Sequence, residues 1–87
     1  MYNIWFCKIV DITKDNYLGL GYEKLIYEEL KKEDILHHCI GLEKEFGKDF
    51  EFDRIDHERY VRFKNNNEYC LFIEEIIDEP FLVEEEK

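Results

Sequence analysis

The apolar residues change period at Gly47, and that change limits the fold more than any other feature of the chain. Before it, Ile35, Leu36, Cys39, Ile40, Leu42 and Phe46 recur at the three- and four-residue spacing of a helix stripe. Asp34 can cap the start of such a helix, and Gly47 suits the position just past its end. After it the spacing is two. Phe50 and Phe52 alternate with Asp49, Glu51 and Asp53 over residues 48–55, and Val61 and Phe63 alternate with Tyr60, Arg62 and Lys64 over residues 59–64. Asn65, Asn66 and Asn67 tolerate positive φ and make a turn, so residues 69–77 return as the partner strand of a hairpin. Pro80 stops that strand, and residues 81–83 could add a short edge strand before the acidic tail at 84–87.

The first half begins differently. Residues 2–12 read as a strand with Tyr2, Ile4, Phe6, Val10 and Ile12 on one face and Trp5, Cys7 and Ile9 on the other. Apolar residues on both faces indicate an interior or helix-covered strand. Residues 13–21 read as a turn region. From Tyr22 the spacing becomes helical, with Tyr22, Leu25, Ile26 and Leu30 on one stripe and Glu23, Lys24, Glu28, Lys31 and Lys32 facing away. The alternative is one long helix with a defect near Gly41. The expected fold is therefore α+β. It has one antiparallel sheet of about four strands, in the order β-α(α)-β-β-β, with one or two helices on one face. At 87 residues it is one domain.

Charge narrows the function. Twenty-two carboxylates face twelve Lys and Arg, a formal net charge of −10. The excess is lopsided: residues 1–47 carry nine acids and six bases, residues 48–87 thirteen acids and six bases. Such a potential opposes nucleic acid and anionic membrane and attracts basic surfaces. Two acidic sets stand out. Asp49, Glu51 and Asp53 would form a row about 6.8 Å apart on one strand face, with Asp56 nearby, a spacing comparable to successive phosphates. Glu74, Glu75, Asp78 and Glu79, with residues 84–86, form a run without a base. Carboxylates so placed can meet arginine forks as phosphates would. The plain alternative is a solvated outer face that keeps the protein soluble.

Other chemistries find little support. The chain has no serine, so a Ser-His-Asp arrangement cannot form. His37, His38 and Cys39, with His57 and Glu58, lack the paired spacing of zinc ligands, and His37 and His38 point about 100° apart on a helix. Leu18-Gly19-Leu20-Gly21 opens like a dinucleotide loop, but Lys24 stands where the third glycine is needed. Arg59, Arg62 and Lys64 beside Tyr60 resemble a nucleic-acid face, yet cross-strand ion pairs explain them more simply. Neither a metal, a cofactor nor an enzymatic activity is expected. Cys7, Cys39 and Cys70 are odd in number, widely spaced and within apolar runs, which suits buried thiols and not a disulfide framework. Residues 1–10 lack a signal-peptide pattern and no apolar run reaches bilayer length, so the expected location is the cytoplasm. The absence of Ala, Ser and Gln suggests AT-rich coding, hence a low-GC bacterium or its phage.

The expected function is a small acidic inhibitor of the anti-defence or immunity type. Its expected partner is a basic protein, such as a nuclease or another nucleic-acid-binding enzyme. Asp49, Glu51, Asp53, Asp56, Glu74, Glu75, Asp78 and Glu79 are the candidate contacts. The alternative is a structural or regulatory subunit, homodimeric through the edge at residues 81–83.

Overall fold

Apolar side chains on both faces place residues 2–12 inside a sheet, and in the computed structural model they form the interior strand β1 (Tyr2–Ile12). The structure describes residues 1–76. After β1 come β2 (Leu18–Leu30), α1 (Lys32–Cys39), α2 (Glu43–Phe46), a 3-10 turn (Lys48–Phe50), β3 (Phe52–Asp56), β4 (Tyr60–Phe63) and β5 (Asn66–Glu75). Five strands make one antiparallel sheet in the order β2-β1-β5-β4-β3. The α+β class stands; the sheet has one strand more than expected, and the described chain begins β-β before its helices.

Residues 22–30, expected as helix, belong to β2. The reason lies in the register with β1. Three times β2 advances one residue further than its partner: Leu30 to Tyr27 against Tyr2 to Ile4, Tyr27 to Leu25 against Ile4 to Trp5, and Lys24 to Tyr22 against Phe6 to Cys7. Each extra residue is a bulge, which turns a step of two into a step of three. Ile26, Tyr27 and Leu30 thus reach one core cluster at helix-like spacing while the backbone stays extended. Leu18-Gly19-Leu20-Gly21 likewise starts this strand and is not a turn before a helix. Bulges also blunt β2 as a sheet edge, because they interrupt the row of unpaired backbone groups.

The helical segment packs on one face. Glu33 and Asp34 occupy the first turn of α1, which suits the positive end of its dipole, and His37 and His38 occupy its last. Ile35 and Cys39 are buried against the sheet, whereas Leu36 and Ile40 from the expected stripe are exposed. Gly41, at φ 95°, turns the chain out of α1 after eight residues, so the stripe does not continue as one surface. Leu42 returns to the core, and Gly47, at φ 107°, ends α2 and starts the 3-10 turn. Beneath these helices lie Ile4, Val61, Phe63, Leu71 and Ile73. Each side chain of this size, fully buried, contributes about 2 kcal/mol.

The second face carries Cys7, Tyr60 and Cys70, flanked by Trp5, Ile9 and Phe72. It is covered by the far end of the β1–β2 hairpin. β1 pairs with β5 only as far as Lys8, so the hairpin beyond that point is an arm. Leu18 pairs with Ile12 at the arm's tip, yet it packs with Cys7, Tyr60 and Cys70. The arm must therefore bend back across the sheet. Its tip is latched there: the Tyr17 and His57 rings stack with centroids 3.9 Å apart, and Arg59 lies 5.9 Å from the Tyr17 centroid. His57 Nε2 lies 2.9 Å from the Asp15 carbonyl. That oxygen can only accept, so the Nε2 position carries the proton.

Two tight connections complete the sheet. The β4–β5 hairpin turns through Lys64 and Asn65, and the Asn66 Oδ1 accepts from the backbone N–H groups of Glu68 (2.9 Å) and Tyr69 (3.2 Å). The β3–β4 turn holds His57 and Glu58 at φ 53° and 58°, with Arg59 N donating to the Asp56 carbonyl at 3.0 Å. Two successive left-handed residues define a type I′ turn, here built without glycine. The edge strand expected at residues 81–83 and the acidic tail lie outside the described residues. Among the described residues no helix is long and apolar enough to cross a membrane.

Candidate interaction surface

The expected row of carboxylates does not form. Gly47 leads into the 3-10 turn, so Asp49 leaves the strand before it starts. There it lines a cleft of about 500 Å³ with Phe50, Asn66 and Glu68. Glu51 follows that turn, and its carboxylate meets Lys64 across the hairpin at 3.3 Å. Between Phe52 and Arg54 the register with β4 slips, which places Asp53 at a bulge. Asp53 and Asp56 then close on Arg54 from either side, Asp56 at 2.8 Å from Nε. A regular 6.8 Å repeat would need Asp49, Glu51 and Asp53 in one extended run, and the turn and the bulge remove it.

Asp56 has a second partner. Arg62 is buried on the neighbouring strand, and its Nη1 lies 3.7 Å from Asp56 Oδ2. The Nε of Arg62 has no hydrogen-bond partner among the described residues. Arg62 of β4 is thus matched by Asp56 of β3, and Lys64 just past β4 by Glu51 just before β3, while Arg59 is in no ion pair among the described residues.

Glu74 and Glu75 lie at the other end of the sheet. Glu74 pairs with Asn3 and Glu75 with Tyr2 in the β1–β5 register. Glu75 borders a groove of about 670 Å³ between α1 and the β3–β4 turn, with Tyr2, Lys32, Ile35, Ile55 and Arg59. Glu74 faces the other way, onto the second face. Its Oε1 accepts from the Trp5 indole Nε1 at 2.8 Å and from Asn3 Nδ2 at 3.2 Å. These two donors hold the carboxyl below the ordinary carboxylate range. Asn3 is itself fixed, because its Oδ1 accepts from the Glu29 backbone N–H at 3.1 Å. Asp78 and Glu79 lie outside the described residues.

Beside Glu74 the second face is aromatic. Tyr22 contacts Trp5 with ring centroids 5.6 Å apart at 77°, and Phe72 at 5.6 Å and 73°. Trp5 and Phe72 are direct partners across β1 and β5. The arm covers the Cys7–Cys70 end of this face, and Tyr22 remains 53% exposed. Burial pushes the Tyr22 hydroxyl above its ordinary pKa, with Cys7 and Glu74 adding to the effect. Cys7, Cys39 and Cys70 are all buried and unbonded. Burial pushes their thiols up to about 11, 11 and 12 respectively, so they stay protonated and unreactive. His37 and His38 rings sit 5.8 Å apart at 81°, and His38 packs on Tyr27. Among the described residues no group of His, Cys, Asp and Glu is arranged to hold a metal.

Sequence reasoning missed Asn3, Trp5 and Phe72 as parts of a site. Strand alternation puts residues 3, 5 and 7 on one face and 70, 72 and 74 on another, but only the antiparallel register shows that these two faces are one. No protein-family model, curated protein or solved structure matches this chain.

Proposed function

We propose that the protein is a small acidic binding protein of inhibitor type, which occupies the cationic surface of a basic, nucleic-acid-handling enzyme. The observation that carries this reading is the uneven compensation of its charge. A net charge of −10 is spread over 87 residues. All four ion pairs among the described residues involve acids between Glu51 and Asp56 and bases between Arg54 and Lys64. Among the described residues, the acids of β2 and the end of β5 form none. A surface of unneutralised carboxylates attracts a cationic partner at long range and accelerates encounter by roughly ten- to a thousandfold at low salt. Contact then rests on irregularly placed carboxylates around an aromatic patch, with Glu74 at its margin and Glu75 on the opposite face of the same strand end, and not on a phosphate-like repeat.

The test is affinity capture from host extract on the immobilised protein at low salt, followed by challenge of the retained protein with duplex DNA. The expected result is a basic nucleic-acid enzyme that salt releases and DNA displaces. Retention of a partner indifferent to both would overturn the reading.

A further inference from the structure

We propose that Trp5, Tyr22, Phe72 and Glu74 form a receptor for an arginine side chain of the partner. This rests on the acidic-binder reading and specifies its anchor. Four observations meet at one place. First, Glu74 is positioned before any partner arrives: an indole and an amide grip one oxygen, Oε1, and Oε2 makes no hydrogen bond among the described residues. A guanidinium approaching Glu74 therefore finds a free acceptor on a carboxylate whose orientation is already set. Second, those same donors keep the group ionised. Third, three aromatic rings stand beside it, with Tyr22 in edge contact with both of the others. Rings have few rotatable bonds, so little freedom is lost when a partner packs on them. Fourth, no lysine or arginine of this chain is ion-paired with Glu74 among the described residues.

The chemistry selects arginine. Its guanidinium is planar, stacks on aromatic faces and offers N–H donors in the same plane to a carboxylate. Lysine offers a compact ammonium that holds its water more tightly and gains less from a ring. An apolar anchor would leave the Glu74 charge desolvated beside it, at a cost. The surrounding sign agrees with a cationic guest: on β2, Glu23, Glu28 and Glu29 outnumber Lys24, and Glu23 is close enough to Cys7 to add to the burial that raises its thiol pKa.

The chain has one tryptophan, so the Trp5 indole N–H gives a single, assigned signal at the site. The experiment titrates the intact protein with a hexa-arginine peptide and, separately, a hexa-lysine peptide, following that signal and Trp5 fluorescence. The expected result is a saturable shift of the indole signal with hexa-arginine at several-fold higher affinity than with hexa-lysine. Glu74→Gln should weaken hexa-arginine binding about tenfold, and Tyr22→Leu should weaken it several-fold, with thermal melts showing both variants folded. Tyr22→Leu keeps the Glu74 hydrogen bonds, so it reports on the rings even if Glu74→Gln disturbs Trp5. If hexa-arginine binds but leaves the indole signal unmoved, or binds no better than hexa-lysine, the receptor is wrong while the acidic-binder reading survives. If neither peptide binds at low salt, both fail.

Discussion

At the β3–β4 edge, Asp53 and Asp56 close on Arg54, Asp56 also reaches the buried Arg62, and Glu51 meets Lys64. Across the sheet, Glu74 is held by an indole and an amide, and no base joins it among the described residues. The residue type is the same and its employment is opposite. On one edge the carboxylates are already paired with bases, two of them exposed (Arg54 and Lys64) and one, Arg62, buried, and only the Arg62 pair bears much on the fold. On the other they are oriented but uncompensated, which stabilises little and leaves the charge available to a partner. The formal charge of the chain therefore overstates its β3–β4 edge and understates the uncompensated charge, among the described residues, on the β2–β1–β5 side.

The largest expected effect is on stability, at the compensated edge. Asp56→Ala leaves the buried Arg62 without its carboxylate and should cost about 3 kcal/mol in urea unfolding, whereas Arg62→Met, which removes the charge, should stay within about 1 kcal/mol of the parent. Equal losses in both variants would mean that Asp56 acts through packing and not as a counter-charge.

Next in size are two backbone substitutions. Glu58 in the β3–β4 turn and Glu29 on β2 both sit in the left-handed region, at φ 58° and 54°. Replacing either by glycine should stabilise by about 1 kcal/mol, read as a raised unfolding midpoint. The two should part in binding: Glu29→Gly removes charge from the uncompensated side and should weaken hexa-arginine binding, and Glu58→Gly should not. Equal binding losses would blur the contrast between the edges.

The smallest effect is on the acid limb of stability. The folded pKa of Glu74 lies below its ordinary value of 4.5. Its contribution is therefore present above that value and is lost as the pH falls from there through the lowered folded pKa. Glu74→Gln should flatten that part of the stability profile, measured by urea unfolding between about pH 5 and pH 2. Superimposable acid limbs would show that the Trp5 and Asn3 hydrogen bonds do not favour the ionised form.

Much of this architecture was legible in the chain. The two-faced pattern of residues 2–12 gives an interior strand, and the alternation around Val61 and Phe63 with the asparagine turn gives the β4–β5 hairpin. β2 was not legible, because three bulges stretch its alternation to the spacing of a helix. The carboxylate row failed for a related reason: alternation over residues 48–55 is also what a 3-10 turn followed by a bulged strand produces. The aromatic patch could not be read at all, since Trp5 and Phe72 become neighbours only through pairing between residues far apart in sequence.

The most direct measurement compares the two edges in one assay: the association rate with the captured basic partner, at low salt, for Glu74→Lys/Glu75→Lys and for Glu51→Lys/Asp53→Lys. The expected result is a rate about tenfold slower or more for the first pair and within about twofold of the parent for the second. Equal slowing, or greater slowing for the second pair, would contradict the division of labour between the edges.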